Sequence, residues 1–308
     1  MADIEIDGHS LTIEEAISIA NGNNTAILSN SSRKRMEESR KGVEKIIHSG
    51  EVIYGINTGF GAMSSVRIAG DDIEQLQTNL IKSHACGVGE LMESEHVLLM
   101  MVLRANSLAK GVSGIRPKIV DLLLSMVNNG IAPIIPRIGS LGASGDLAPL
   151  SHMSLAILGE GQSMVREESG WVSMSSLDAL HKFGLEPTQL AAKEGLSLIN
   201  GTSQMCAYMA LTLLNLEKLV FAADSSAATS LEAIKGSHSP FDTRIHDNRP
   251  QIGQSISAAR ISALLKGSEI KISHVDCDRV QDAYCFRCVP QVHGPVIDLL
   301  TETRRMLE

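Results

Sequence analysis

The chain has 308 residues, enough to bury one large core or two. Its 27 Lys and Arg against 35 Asp and Glu give a formal charge of −8, which argues against a general nucleic-acid binder, since that needs a basic surface. Apolar residues make up 44% and aromatics only 3%, a balance that argues against wholesale disorder and favours helices over an aromatic-rich β-sandwich or barrel.

Residues 1–10 read as a short strand pair or an arm, and their acidic start lacks the basic-then-apolar pattern of a signal peptide. Helical spacing over 11–21 begins at Thr12, with Glu15 three residues on in a capping box. A charged amphipathic helix is expected over 33–49, ended by Gly50. Residues 54–70 read as a loop headed by Tyr54-Gly55-Ile56-Asn57-Thr58-Gly59-Phe60-Gly61; a loop of that length points to function or mobility. Helices follow over 71–84, 93–110 and 117–129, the last with Pro117 at its first position.

Residues 130–146 read as a second irregular segment, with a helix from Leu147 to about 158 and a small hairpin over 160–174. A long apolar helix is expected over 200–233. Its most apolar part carries Asn215, Glu217 and Lys218, so it reads as a buried bundle helix rather than a membrane span. Residues 237–253 form a third loop, and helices return over 254–266 and 294–307. The expected fold is mainly α. The five cysteines, Cys86, Cys206, Cys277, Cys285 and Cys288, are odd in number and scattered, which fits a reducing cytoplasm better than a disulfide framework.

The segment Gly139-Ser140-Leu141-Gly142-Ala143-Ser144-Gly145-Asp146 leaves three readings open. One is a Gly-rich connection in which Ser144 or Asp146 caps the next helix. The second, a nucleophile elbow, lacks the G-x-S-x-G spacing. In the third, the Gly145 nitrogen attacks the Ala143 carbonyl and two waters are lost, leaving a methylidene-imidazolone (MIO), an electrophile built from the chain itself. Glycine suits the bent backbone this needs.

On that segment, continued through Leu147-Ala-Pro-Leu-Ser-His152, the sequence resembles the aromatic amino-acid ammonia-lyases and aminomutases, and their histidine-acting members most. Other stretches match in order: 54–61, 79–89, 194–202, 241–246 and 281–294. The resemblance implies an MIO-bearing domain over 1–195 with irregular loops. Residues 196–308 would then form the first part of a long helical bundle. It implies an MIO group from Ala143, Ser144 and Gly145, with no external cofactor and no metal, and a catalytic base at Tyr54. Asn200 would hydrogen-bond the prosthetic group, where the plainer alternative is an N-cap of the long helix. Arg287 would grip the substrate carboxylate, as a planar guanidinium can.

Gln281, Tyr284 and Arg287 fall at i, i+3 and i+6, the spacing of one side of a helical turn or tight loop, with Tyr284 assigned to catalysis and Gln281 to substrate binding. Tyr208 reads as core. Ser83-His84 stands where tyrosine-selective relatives show His-Leu and phenylalanine-selective ones Phe-Leu, so the implied substrate is L-histidine, with trans-urocanate and ammonia as products. His84 would pair with the substrate ring, where the alternative is a helix-end cap. Cys285-Phe286-Arg287-Cys288 has C-x-x-C spacing near His274, Cys277 and His293, but lacks the second pair a zinc site would show.

Family members are longer, and their next landmark has no counterpart before Glu308. The expectations are therefore a homo-oligomer, a tetramer in this family, or a complementary C-terminal chain, with exposed apolar surface on the 200–233 helix. The alternative functions are a non-catalytic interaction subunit, or an enzyme acting on tyrosine or phenylalanine.

Overall fold

The capping box expected at Thr12 forms. Its hydroxyl accepts the Glu15 N–H at 3.2 Å and the Glu15 carboxylate accepts the Thr12 N–H at 3.0 Å, starting the helix Ile13–Ala20. These details come from a computed structural model that describes residues 2–49, 51–59, 68 and 72–308. The expected stop at Gly50, the motif end Phe60-Gly61 and the loop positions 60–67 and 69–70 lie outside the described residues. The chain divides into two compact units, Met1–Tyr208 and Met209–Glu308.

The first unit is built round the helix Ser94–Ala109, whose Val97–Val102 run, Ala105, Leu108 and Ala109 are all buried. A helix apolar on every side must be enclosed, and here Ile13–Ala20 and Pro117–Asn128 pack on it. Pro117 opens its helix as expected. The helix expected over 33–49 starts earlier, at Asn30, and runs to Ser49.

The N-terminal strand is single rather than paired within 1–10. Asp3–Ile6 runs parallel to Thr25–Leu28, with the first helix as crossover. The hairpin forms from Gln162–Glu167 and Gly170–Ser175. Residues 130–146 are more regular than expected. Ile131–Pro133 adds to that hairpin and Pro136–Ile138 pairs with Val88–Leu91. Ile131 to Pro133 are fully buried, and strand pairing is how their backbone polar groups find partners away from water.

In the second unit, helices Ile252–Leu264 and Val289–Leu307 pack against each other. Gly253 and Gly294 allow a close backbone approach: a Cβ on Gly294 would lie 2.5 Å from the Gln254 nitrogen. Ala228, Leu231, Phe241, Ile261, Leu265 and Val289 form its core. Beside that core, buried Asp224 accepts from Ser257 Oγ at 2.6 Å and faces His293 Nδ1 at 2.8 Å. The expected loop over 237–253 contains the short helix Thr243–Asp247, capped by Asp242.

The long helix runs Ser203–Ala233 and crosses from one unit to the other. The sequence reading of a buried helix holds only in part. Leu219 and Phe221 are 62% and 52% exposed, so much apolar surface stays open, as the resemblance also led us to expect. The stretch Glu194–Ala233 is long and apolar enough to cross a membrane by length and composition alone.

Candidate active site

The Ala143-Ser144-Gly145 turn is closed by one carbonyl. Leu141 O accepts the N–H of Ser144 at 3.0 Å and that of Gly145 at 2.7 Å, while Gly145 O accepts the Leu141 N–H at 3.1 Å. Gly145 has φ +83°, a left-handed conformation that a side chain disfavours, and a Cβ there would sit 2.5 Å from Gly201 O. Gly145 is buried against that carbonyl, whereas Ala143 and Ser144 are exposed. A buried, sharply bent glycine behind two presented residues fits an MIO group formed there.

Asp146 anchors the turn, though not as the sequence suggested. It holds the N-cap position of the helix Leu147–Ile157 yet makes no side-chain bond to it. Its carboxylate caps the long helix instead, accepting the N–H groups of Gln204 and Met205 at 2.7 and 3.1 Å, and takes the Ser140 hydroxyl at 2.6 Å. Its own N–H donates to Gly201 O at 2.8 Å. Two helix N-termini therefore meet beside residues 143–145 and favour electron-rich groups there.

Asn200 is not the N-cap of the long helix. It is the C-cap of Glu194–Ile199 and is exposed, since the long helix starts only at Ser203. The approach to Glu194 is pinned from beneath. Glu194 is fully buried and accepts from Arg116 Nε at 2.7 Å and from the N–H groups of Arg116 and Ala191. The Glu194 carboxylate raises the Arg116 pKa further above its ordinary value. Arg40 holds Ala192 O at 2.9 Å.

Tyr54 sits on a segment held from its other side. Asn57 and Thr58 are buried; Asn57 accepts the Ile53 N–H at 2.9 Å and donates to Glu51 O at 2.7 Å. Gly55, at φ +76°, rests against Leu196, and Tyr54 is 56% exposed. The motif thus buries its polar residues as struts and presents its tyrosine.

His84 ends the helix Ile73–His84. Its Nδ1 lies 2.9 Å from Leu80 O and 3.0 Å from Ser83 Oγ. A carbonyl can only accept, so Nδ1 carries a proton, and in the neutral ring Nε2 is left as an acceptor. The helix-end role weighed from the sequence is therefore real, and it fixes the tautomer. His152 Nε2 accepts the Gly87 N–H at 3.1 Å, and burial lowers its pKa.

Tyr284 and Arg287 belong to the second unit. They bound a single helical turn, Tyr284–Arg287, with the guanidinium 5.3 Å from the tyrosine ring centre and its Nε donating to Asp282 O at 3.1 Å. Gln281 precedes that turn in chain without regular secondary structure, so the three do not share one helix face. All five cysteines are free, and among the described residues no group of three or more His, Cys, Asp or Glu could hold a metal ion.

Sequence reasoning missed Arg104. It is buried to 4% exposure under residues 197–201 and donates to Ser197 O and, at 3.0 Å, to Asn200 O. Burial pulls its pKa down to about 10, against the pull of Asp146. The available signal was a lone charge in the apolar run from Val97 to Ala109. Tyr208, read as core, is only half-buried, although its hydroxyl is buried and has no hydrogen-bond partner among the described residues.

A self-made electrophile on a helical scaffold defines a class of carbon–nitrogen lyases and aminomutases. The chain matches the aromatic amino acid lyase family over residues 11–308, and it belongs to that family. It is 46% identical over 305 residues to histidine ammonia-lyase of Geobacillus thermodenitrificans (strain NG80-2), covering 99% of this chain and 60% of that protein. To the enzyme of the same name from Anaeromyxobacter sp. (strain K) it is 45% identical over 303 residues, 97% of this chain and 60% of the other. Among solved structures, histidine ammonia-lyase from Trypanosoma cruzi superposes with a TM-score of 0.87 at 37% identity, covering 100% of this chain and 56% of that one. Tyrosine aminomutase from Streptomyces globisporus gives 0.88 at 36%, with coverage of 99% and 60%. The chain spans about 60% of the length of these curated relatives.

Proposed function

We propose that this chain serves the elimination of ammonia from L-histidine, giving trans-urocanate. The observation that carries the reading is the Leu141–Gly145 turn: a left-handed, buried Gly145 behind exposed Ala143 and Ser144, at the meeting of two helix N-termini. The 43–46% identity to proteins named histidine ammonia-lyase supports the substrate.

In this reading Ala143, Ser144 and Gly145 supply the MIO group, which offers an electrophilic methylidene carbon that activates the substrate for loss of ammonia. Tyr54 takes the β-proton; presenting a phenol on a pinned segment lets its site tune it for that task. His84, with Nε2 as acceptor, receives an N–H of the substrate ring. Asn200 lies on the same 197–201 platform as Gly201 and orients the electrophile. Arg287 grips the carboxylate, steadied by Tyr284 and Asp282, and Gln281 adds a polar contact. Residues 1–195 thus carry the electrophile and 196–308 the carboxylate grip. Exposed Val292 and Leu299, seven residues apart on one helix face, suit assembly into a homo-oligomer.

Intact mass and urocanate absorbance test the reading together. The expected result is a mass short by two water molecules, urocanate formed from L-histidine, and loss of both in Ser144→Ala with an unchanged circular dichroism spectrum. A full-length mass with no urocanate overturns it.

A further inference from the structure

Arg104 is the most deeply buried cation near the turn, and nothing in the reaction as proposed uses it. Its Nη2 is shared between Ser197 O and Asn200 O, and a Cβ on Gly201 would overlap its Nη1. Its Nε has no hydrogen-bond partner among the described residues. A buried guanidinium with a donor left over is a poor source of stability, because desolvation outweighs what its partners return. Its geometry does something else. It holds two carbonyls of the 197–201 bend, Ser197 O and Asn200 O, and lies close against Gly201, whose carbonyl that bend carries.

Gly201 O is the wall behind the turn. It accepts the Asp146 N–H at 2.8 Å and lies 2.5 Å from where a Gly145 Cβ would be. It therefore sets the peptide plane that follows Gly145 and limits how far that residue can back away. We propose that Arg104 is a positioning residue for self-cyclisation, acting through Gly201 to hold Gly145 within reach of the Ala143 carbonyl. The inference rests on the reading above that the electrophile forms here.

The step balances within the chain. The Gly145 N to Ala143 C bond forms, and the Ala143 oxygen leaves as water with the protons of Gly145 N and Ser144 N. A second water takes the Ser144 hydroxyl and its Cα proton, leaving the methylidene. The two N–H groups consumed first are the two that Leu141 O now gathers, so the turn already faces them one way. What remains to be controlled is the approach of nitrogen to carbonyl carbon, and a misplacement of about 1 Å costs roughly a hundredfold in rate.

The test follows the two-water mass loss with time in the purified, folded 308-residue chain, comparing wild type, Arg104→Met and Arg104→Lys. Met keeps the length without the charge or the fork; Lys keeps the charge alone. The expected result is slowing by roughly tenfold to a hundredfold in Arg104→Met. Arg104→Lys should fall in between, with both variants retaining the wild-type circular dichroism spectrum. A folded Arg104→Met that loses both waters at the wild-type rate overturns the proposal. Should Arg104→Met fail to fold, Arg104→Lys decides: a wild-type rate there overturns the proposal. A wild type that never loses water overturns the parent reading as well, which separates the two failures.

Discussion

Asp146 stands at the N-cap of one helix, yet its carboxylate accepts from Gln204 and Met205, the first turn of another, at 2.7 and 3.1 Å. One fully buried side chain thus ties the turn before Leu147 to the start of the long helix. Replacing Asp146 with Ala would leave two helix N–H groups and the Ser140 hydroxyl without their acceptor. A cost of about 2 kcal/mol is expected in denaturant unfolding, from a lost cap and a buried unsatisfied donor. An unchanged midpoint would show that water serves those groups equally well.

Gly145 makes a sharper prediction, because geometry rather than solvation decides it. Gly145→Ala must place a methyl group 2.5 Å from Gly201 O in a left-handed backbone. Strain of about 1–3 kcal/mol is expected, relieved by rotation of the turn away from Gly201. The two-water mass loss should then be abolished even in molecules that fold. A variant that folds normally and still loses both waters contradicts the assigned role of the wall.

Most helices were legible because their signals are local. Thr12 and Glu15 form their capping box, and Pro117 opens its helix, through bonds that span a few residues. The strands within 130–146 were not legible: Ile131–Pro133 is only three residues, and its partner lies thirty residues on. The site residues were named from motifs, but their supports were not. That Asp146 serves residues 204 and 205 rather than its own helix depends on a contact 58 residues away, which no spacing rule sees. The alternatives for Asn200 and His84 went opposite ways for the same reason. His84 does satisfy a carbonyl four residues back, within one helix. Asn200 is no N-cap because the long helix starts only at Ser203, and the N–H groups of its first turn go to Asp146, remote in sequence.

Arg116, half-buried, and Glu194 form an ion pair at the start of the 194–202 segment. Glu194 is fully enclosed, and Arg116 N and Nε both donate to the same carboxylate oxygen, at 3.0 and 2.7 Å. Arg116→Met would strand the carboxylate with only backbone N–H partners. A loss of about 3 kcal/mol is expected, since the enclosed Glu194 carboxylate would keep its charge without the cation that balances it. The double variant Arg116→Met, Glu194→Gln should recover part of it. If the double variant is no better than the single one, the pair is not coupled as described.

In the proposed reading, His84 would link the helix end to substrate choice. Because Nδ1 is committed to Leu80 O, only Nε2 can meet the ring, and only as an acceptor while neutral. His84→Leu is expected to cut kcat/KM for L-histidine by roughly tenfold or more, the worth of about one hydrogen bond. The loss should be smaller for an aromatic substrate whose ring carries no N–H. Equal losses on both substrates would assign His84 to the scaffold alone.

His152 gives the pH dependence. Burial lowers its pKa below the ordinary histidine value, so the folded state prefers the neutral ring, whose Nε2 accepts the Gly87 N–H. A base with a depressed folded pKa contributes stability that is fully present above its unfolded pKa, about 6.5, and is lost as pH falls through the folded value. Protonation also turns the acceptor into a donor facing another donor, which frees Gly87 and the strand start at Val88. Urea unfolding followed from pH 8 to pH 5 should show stability falling through the acid end of that range. His152→Phe should be less stable at pH 8, having lost the acceptor, but should show a shallower decline on acidification. A decline of the same steepness in the variant would mean that other groups carry it and that His152 stays neutral throughout.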